Sequence, residues 1–257
     1  MRVVSFNANG IRASAKKGFY EWMEKQNADV VCLQETKAQE HQLEDPCFHP
    51  EGYHCYYHDA QKKGYSGVAI YARKKPDQVV IGMGWDDVDN EGRVIRADFG
   101  DLSVFSLYLP SGSAKEERQA FKYRVMDKIL PFFEEIRSQG RELIICGDWN
   151  IVHKEIDIKN WKANLKRSGC LPEERAWLDL IFGEKQFVDA YRSHKPDEVC
   201  YTWWSNRGRA WDNNVGWRID YHVVTQDVGA KITDAWVYRD VKLSDHAPLL
   251  VDYAWDL

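Results

Sequence analysis

The chain has 257 residues, 44% of them hydrophobic, 13% aromatic and 29% charged, a composition that folds around a core and excludes a disordered chain. Its longest unbroken apolar run, Val68 to Ala72, falls far short of the ~20 residues a membrane-spanning helix needs. Thirty-five Lys and Arg against 40 Asp and Glu give a formal charge of −5, which argues against a uniformly basic nucleic-acid binder but not against local basic patches or metal-assisted phosphate binding.

The segment Met1-Arg2-Val3-Val4-Ser5-Phe6-Asn7 turns polar too early for a secretory signal. Its six cysteines contain no C-x-x-C pair, so neither a zinc site nor a disulfide framework is expected. A reduced protein of the cytoplasm fits these features. No linker, low-complexity run or repeat divides the sequence, which reads as one domain over residues 1–257.

In chain order, the strand-length run Val3–Phe6 leads directly into Asn7. Gly18–Lys25 sets Phe19, Trp22 and Met23 at helical spacing. Val30–Leu33 leads into Gln34-Glu35, and Gly67–Tyr71 is a third strand. Leu102–Leu109 carries Tyr108 near its end and is followed by Pro110-Ser111-Gly112. Ser113-Ala114-Lys115-Glu116 has the form of a capping box ahead of Phe121, Val125 and Ile129. Leu143–Cys146 runs into Gly147-Asp148-Trp149-Asn150. Pro172 opens a helix with Trp177, Leu178 and Ile181 on its apolar face. Ile219–Val224 has Asp220 at its start, and Ser244-Asp245-His246 precede the last strand, Leu249–Val251.

Strands interleaved with helices define an α/β protein. Four strands exit into polar side chains, the usual place for a site in such sheets. Asp220 and Asp245-His246 break the pattern by preceding their strands. For all six groups to share one cleft, the late strands must run opposite to the early ones. The sheets are then mixed, and an all-parallel dinucleotide fold is excluded. P-loop, Rossmann and H-E-x-x-H motifs are absent. Gly64-Tyr65-Ser66-Gly67-Val68 lacks the last glycine of a nucleophile elbow.

The strand-end residues have the parts for metal-assisted phosphoester hydrolysis. Mg²⁺ takes oxygen ligands, usually one or two protein carboxylates, and Glu35 fits as the main ligand with Asp245 a second. His246, Tyr108 and Asn7 are placed to meet the charge on a phosphate. Asp148 suits a residue that positions and deprotonates water, with Asn150 beside it. Asp220 is the natural orienting partner for His246.

The ordered set Asn7-Ala8-Asn9-Gly10-Ile11-Arg12, Leu33-Gln34-Glu35-Thr36-Lys37, Gly64-Tyr65-Ser66-Gly67-Val68-Ala69, Gly92-Arg93, Tyr108-Leu109-Pro110, Gly147-Asp148-Trp149-Asn150, Gly216-Trp217-Arg218-Ile219-Asp220-Tyr221 and Ser244-Asp245-His246-Ala247-Pro248 resembles the exonuclease III family of apurinic/apyrimidinic endonucleases. The resemblance runs from residue 2 to about 253 and implies a four-layered α/β sandwich, two mixed β-sheets packed face to face and flanked by helices. It implies Mg²⁺- or Mn²⁺-dependent cleavage of double-stranded DNA 5′ to abasic sites by a monomer, with 3′→5′ exonuclease and 3′-end trimming varying among members. By this resemblance Glu35 holds the metal, Asn7 orients the metal-side carboxylates and Asp245 sits beside the metal or leaving group. Asp148 is the base, Asp220 pairs with His246, and Tyr108, Asn150 and His246 contact phosphate. Trp203, Trp217 and Ile219 match the positions lining the abasic-sugar pocket, whose flat walls exclude a nucleotide that keeps its base.

Ala8 and Trp203 depart from the commoner Val and Phe. Arg207 and Arg209 lie where the family inserts side chains into DNA. Lys159, Lys162, Lys166 and Arg167 form a second basic stretch, and Arg12, Lys16 and Lys17 a third. The alternative is a non-catalytic relative of the catabolite-repression-control type acting in RNA complexes, which the retained carboxylates disfavour. A phosphatase or sphingomyelinase-type hydrolase is disfavoured by the Trp203/Trp204 and Trp217–Asp220 block.

Overall fold

The computed structural model describes residues 1–257. Two six-stranded sheets carry most of the chain. The first has the order β13-β14-β1-β2-β4-β3, formed by Ile232–Val237, Leu249–Tyr253, Arg2–Asn7, Val30–Gln34, Val68–Ala72 and His54–His58 respectively. The second has the order β5-β6-β7-β8-β12-β9, formed by Gln78–Ile81, Val94–Phe99, Leu102–Tyr108, Glu142–Asp148, Asp220–Val224 and Val188–Asp189. A short ribbon pairs β10 (Trp203–Trp204) with β11 (Gly216–Trp217).

Both large sheets are mixed. Only β1–β2 and β7–β8 pair in parallel; β12 runs antiparallel to β8, and β14 antiparallel to β1. The late strands therefore reverse direction, as the positions of Asp220 and His246 require.

Alternate side chains of each strand serve different layers. Val3, Val30, Cys32 and Ile70 of the first sheet meet Ala97, Val104, Ile144 and Cys146 of the second in one cluster of 21 buried residues. Phe105 and Ile145 point the other way, onto Phe121, Val125 and Ile129 of the helix Glu116–Ser138 and Leu178 and Ile181 of the helix Pro172–Phe182. On the far side Val4, Phe6 and Val31 bury Phe19, Trp22 and Met23 of the helix Phe19–Gln26. Helix, sheet, sheet, helix: these are the four layers. Burial on both faces explains why β2, β4 and β8 read as unbroken apolar runs, and why β1 is interrupted only by the small buried Ser5.

The long helix starts at Glu116 without the expected capping box. Lys115 occupies the N-cap with no side-chain bond, and the Ser113 hydroxyl lies 2.9 Å from that of Ser111 instead. The strands His54–His58, Gln78–Ile81, Val94–Phe99 and Ile232–Val237 carry no apolar run of the kind that marked the others, because three are half-exposed and Val94–Phe99 includes the ion pair Arg96–Asp98.

Candidate active site

The site forms where four strand ends and two strand starts meet at one rim of the sandwich. Asn7 closes β1 and Glu35 follows β2, while Tyr108 and Asp148 end the parallel pair β7–β8 in direct register. Asp220 opens β12 opposite Asp148. Gly147 lies so close to β7 that an added Cβ would stand 2.1 Å from the Leu107 carbonyl oxygen. Glycine is needed there for close strand approach rather than for turning freedom.

Asn7 is buried, and its amide donates to Glu35 Oε1 and to Asp148 Oδ2, both at 2.9 Å. Asp148 Oδ1 accepts from the Asn150 backbone N–H at 2.9 Å, and Asn150 Nδ2 donates to the Leu109 carbonyl at 2.8 Å. His246 Nδ1 is 2.9 Å from Asp220 Oδ2, and its Nε2 faces Asp148 Oδ2 at 3.8 Å. Both oxygens of Asp245 are occupied: Oδ1 accepts from Asn9 Nδ2 and Ser244 Oγ, and Oδ2 from Trp203 Nε1.

Electrostatics follow from burial. Burial and the neighbouring Asp220 push the Asp148 carboxyl up to about 8, against the pull of His246. Burial alone disfavours a charged His246, but Asp220 outweighs it and raises the ring to about 10. An imidazolium donates from both nitrogens and cannot ligate a metal. Burial, followed by Glu35, holds the Tyr108 phenol well above its ordinary range and therefore protonated. Asp245 is held below the usual carboxylate range: burial opposes this, but His246 and the three donors prevail.

Ligand atoms of Glu35, Asp148 and His246 all lie within 4.8 Å of one another. With His246 protonated, the cation site falls to the Glu35 and Asp148 oxygens. The donor set fits a hard divalent cation: two carboxylates bridged by one amide, in a pocket whose excess negative charge already draws Lys37 Nζ to 2.7 Å from Glu35 Oε2. Such a cation would supply charge neutralisation at a phosphate.

These groups line the inner part of a cavity of about 760 Å³. Trp203, Trp217 and Ile219 form its apolar wall, the two indoles meeting edge to face at 5.8 Å and 89°. Asn7 and Asp220 stand behind the lining residues. Arg207 lines an adjoining cavity of about 780 Å³ with Lys159, Lys162 and Arg167. Arg12 is exposed and lines another, of about 770 Å³, with Lys16 and Lys37. The structure thus brings together every expected catalytic and metal-side residue with the apolar wall of Trp203, Trp217 and Ile219, and leaves Arg12 and Arg207 outside this cavity.

Sequence reasoning gave no role to Lys37 or Asn9, which close a chain from Glu35 through Lys37 and Asn9 to Asp245. Nor did it connect Lys122 with Glu174, fully buried, where Lys122 Nζ donates to the Asn150 carbonyl at 2.8 Å. One local signal was unreadable: Asn9, Glu35, Lys37 and Asn150 all adopt positive φ, between 44° and 52°. Such strain costs on the order of 1–3 kcal/mol per residue and gathers at working sites.

Carboxylates, a buried imidazolium and a protonated phenol around one cavity equip a phosphodiester hydrolase. The profile of the endonuclease/exonuclease/phosphatase family matches residues 4–246. An exodeoxyribonuclease of Bacillus subtilis is 41% identical over 97% of this chain and 98% of its own length. A DNA-(apurinic or apyrimidinic site) endonuclease of Dictyostelium discoideum is 36% identical over 97% of this chain and 69% of its own. The solved structure of an AP endonuclease from Archaeoglobus fulgidus, 27% identical, superposes with a TM-score of 0.89 over 99% of this chain and all of the other. The chain belongs to the endonuclease/exonuclease/phosphatase family, on its exonuclease III-type branch.

Proposed function

We propose that this protein is a Mg²⁺- or Mn²⁺-dependent DNA-repair nuclease that cleaves duplex DNA 5′ to an abasic site and also trims 3′ ends. The observation that carries this reading is the Asn7 amide bridging Glu35 and Asp148 beneath a cavity walled by Trp203, Trp217 and Ile219. Glu35 would be the main holder of the cation, with one oxygen of Asp148 beside it. Asp148 orients water and takes its proton, with Asn150 fixing the carboxylate from the backbone. His246, kept cationic by Asp220, and Tyr108 donate to the phosphate oxygens. Asp245, held by Asn9 and Trp203, stands at the metal or leaving-group side. The apolar wall takes a deoxyribose without a base, while Arg12 and Arg207 grip the backbone on either side.

The exposed large hydrophobics, Ile81, Val199 and Val241, are scattered singly, as on a monomer. Six free cysteines support a reducing, cytoplasmic setting. The test is a duplex with one tetrahydrofuran abasic analogue: it should be nicked with Mg²⁺ or Mn²⁺ and spared with EDTA. A protein that binds this duplex and never cuts it would be a non-catalytic regulator.

A further inference from the structure

The Gly64-Tyr65-Ser66-Gly67 and Gly92-Arg93 segments play no part in the chemistry above, yet the structure joins them beside Tyr108. Arg93 is 2% exposed. Its Nε donates to Glu91 at 2.6 Å, Nη1 to the Tyr108 carbonyl at 2.9 Å and Nη2 to the Tyr65 hydroxyl at 3.1 Å. The Arg93 carbonyl accepts from the Tyr108 N–H at 2.9 Å. Its guanidinium also covers the Tyr108 ring, 4.8 Å from the centroid. Arg93 therefore holds Tyr108 by its N–H, its carbonyl and its ring face.

We propose that Arg93 is a positioning residue, fixing the Tyr108 phenol toward the phosphate site and making no DNA contact of its own. This rests on the nuclease reading above. A guanidinium with its fork engaged and almost no exposure cannot reach a phosphate at the surface. Arg118 completes the clamp, donating to both Glu91 oxygens at 2.8 and 3.0 Å and to the Tyr65 hydroxyl at 3.0 Å. Two arginines share one carboxylate, leaving a net positive charge beside the phenol. Gly92 makes the arrangement possible. It has φ 58°, and an added Cβ would stand 2.6 Å from the His58 carbonyl oxygen, so no other residue turns the chain here without displacing the backbone.

The experiment is a double-mutant cycle on the abasic duplex, using wild type, Arg93→Lys, Tyr108→Phe and the double variant. Arg93→Lys keeps the buried charge opposite Glu91 but loses the planar fork. It should lower kcat about 10- to 50-fold with KM and salt dependence unchanged, and change the rate less than about 2-fold once the Tyr108 hydroxyl is gone. An equal loss in both backgrounds overturns the proposal in favour of a structural role. A loss in KM with a shallower salt dependence overturns it in favour of a DNA contact. If melting shows Arg93→Lys unfolded, Tyr65→Phe frees Nη2 instead, and the same cycle should give a loss of about 3-fold that vanishes with Tyr108→Phe. A wild type that never nicks defeats the nuclease reading, whereas one that nicks without this coupling defeats only the role of Arg93.

Discussion

Asn7 and Asp148 join the two sheets at the rim: the amide of β1 reaches the last residue of β8 at 2.9 Å while holding Glu35 at the same distance with the other hydrogen. Asn7→Ala frees both carboxylates, and a displacement of ~1 Å at reacting groups costs about 100-fold. Single-turnover nicking should fall by about that factor, and divalent-cation affinity should fall with it. Unchanged cation binding would show that Asn7 does not hold the ligand set.

Asp148→Asn keeps the shape and the hydrogen bonds that Asp148 Oδ1 and Oδ2 accept only in part, and removes the base. The rate should drop by about 10²–10⁴, while affinity for the abasic duplex, measured by mobility shift in Ca²⁺ or EDTA, stays within a few-fold.

Cation binding should depend on pH because Asp148 is pushed up to about 8. Below that value the carboxyl carries a proton that the cation must displace, so affinity should tighten about tenfold per pH unit from 6 toward 8 and then level off. Calorimetry in buffers of different ionisation enthalpy would detect the released proton. Asp148→Asn should flatten the profile.

Asp157 is nearly inaccessible between Arg218, at 2.8 Å, and Arg192, at 2.6 Å. Burial opposes its ionisation, but Arg218 and Arg192 win and hold the carboxyl down to about 2. A folded-state value below the unfolded one means the stabilisation is complete above pH ~4 and is lost as pH falls through 2. Asp157→Asn should cost about 3–5 kcal/mol at neutral pH by stranding the arginines and should flatten stability between pH 4 and 2. Urea unfolding at several pH values checks both.

Arg207 and Arg209 are exposed, and Arg207 lines the cavity that adjoins Trp203 and Trp217. Removing both should reduce the slope of log affinity against log salt by up to about 2, with nicking at saturating duplex little changed. An unaltered slope would mean these residues face solvent only.

The strands that were legible are mostly those buried on both faces, where apolar residues dominate whichever way they point. In Ile232–Val237 only Ala235 is buried, and Thr233 and Asp234 break its apolar run. The convergence of Asn7, Glu35, Tyr108 and Asp148 was legible because strand ends place them, each at or near the close of an apolar run. The supporting pairs were not, since Lys122 and Glu174 lie 52 residues apart and Asp157 and Arg218 61 apart. A buried ion pair leaves no periodic trace. Ser113 shows the opposite failure, a local pattern that fits a cap while the tertiary path of the loop gives its hydroxyl to Ser111.

Strand β14 follows the other strands in sequence, yet it is seated inside its sheet between β13 and β1. His246 arrives just ahead of it. A ribosome that has delivered residues 1–240 has already made Glu35, Asp148 and Asp220, but the sheet still has an open slot and neither Asp245 nor the imidazole has yet been made. Completion of the site is therefore tied to closure of the first sheet, and any truncation upstream of His246 removes the imidazole and opens the sheet in a single event.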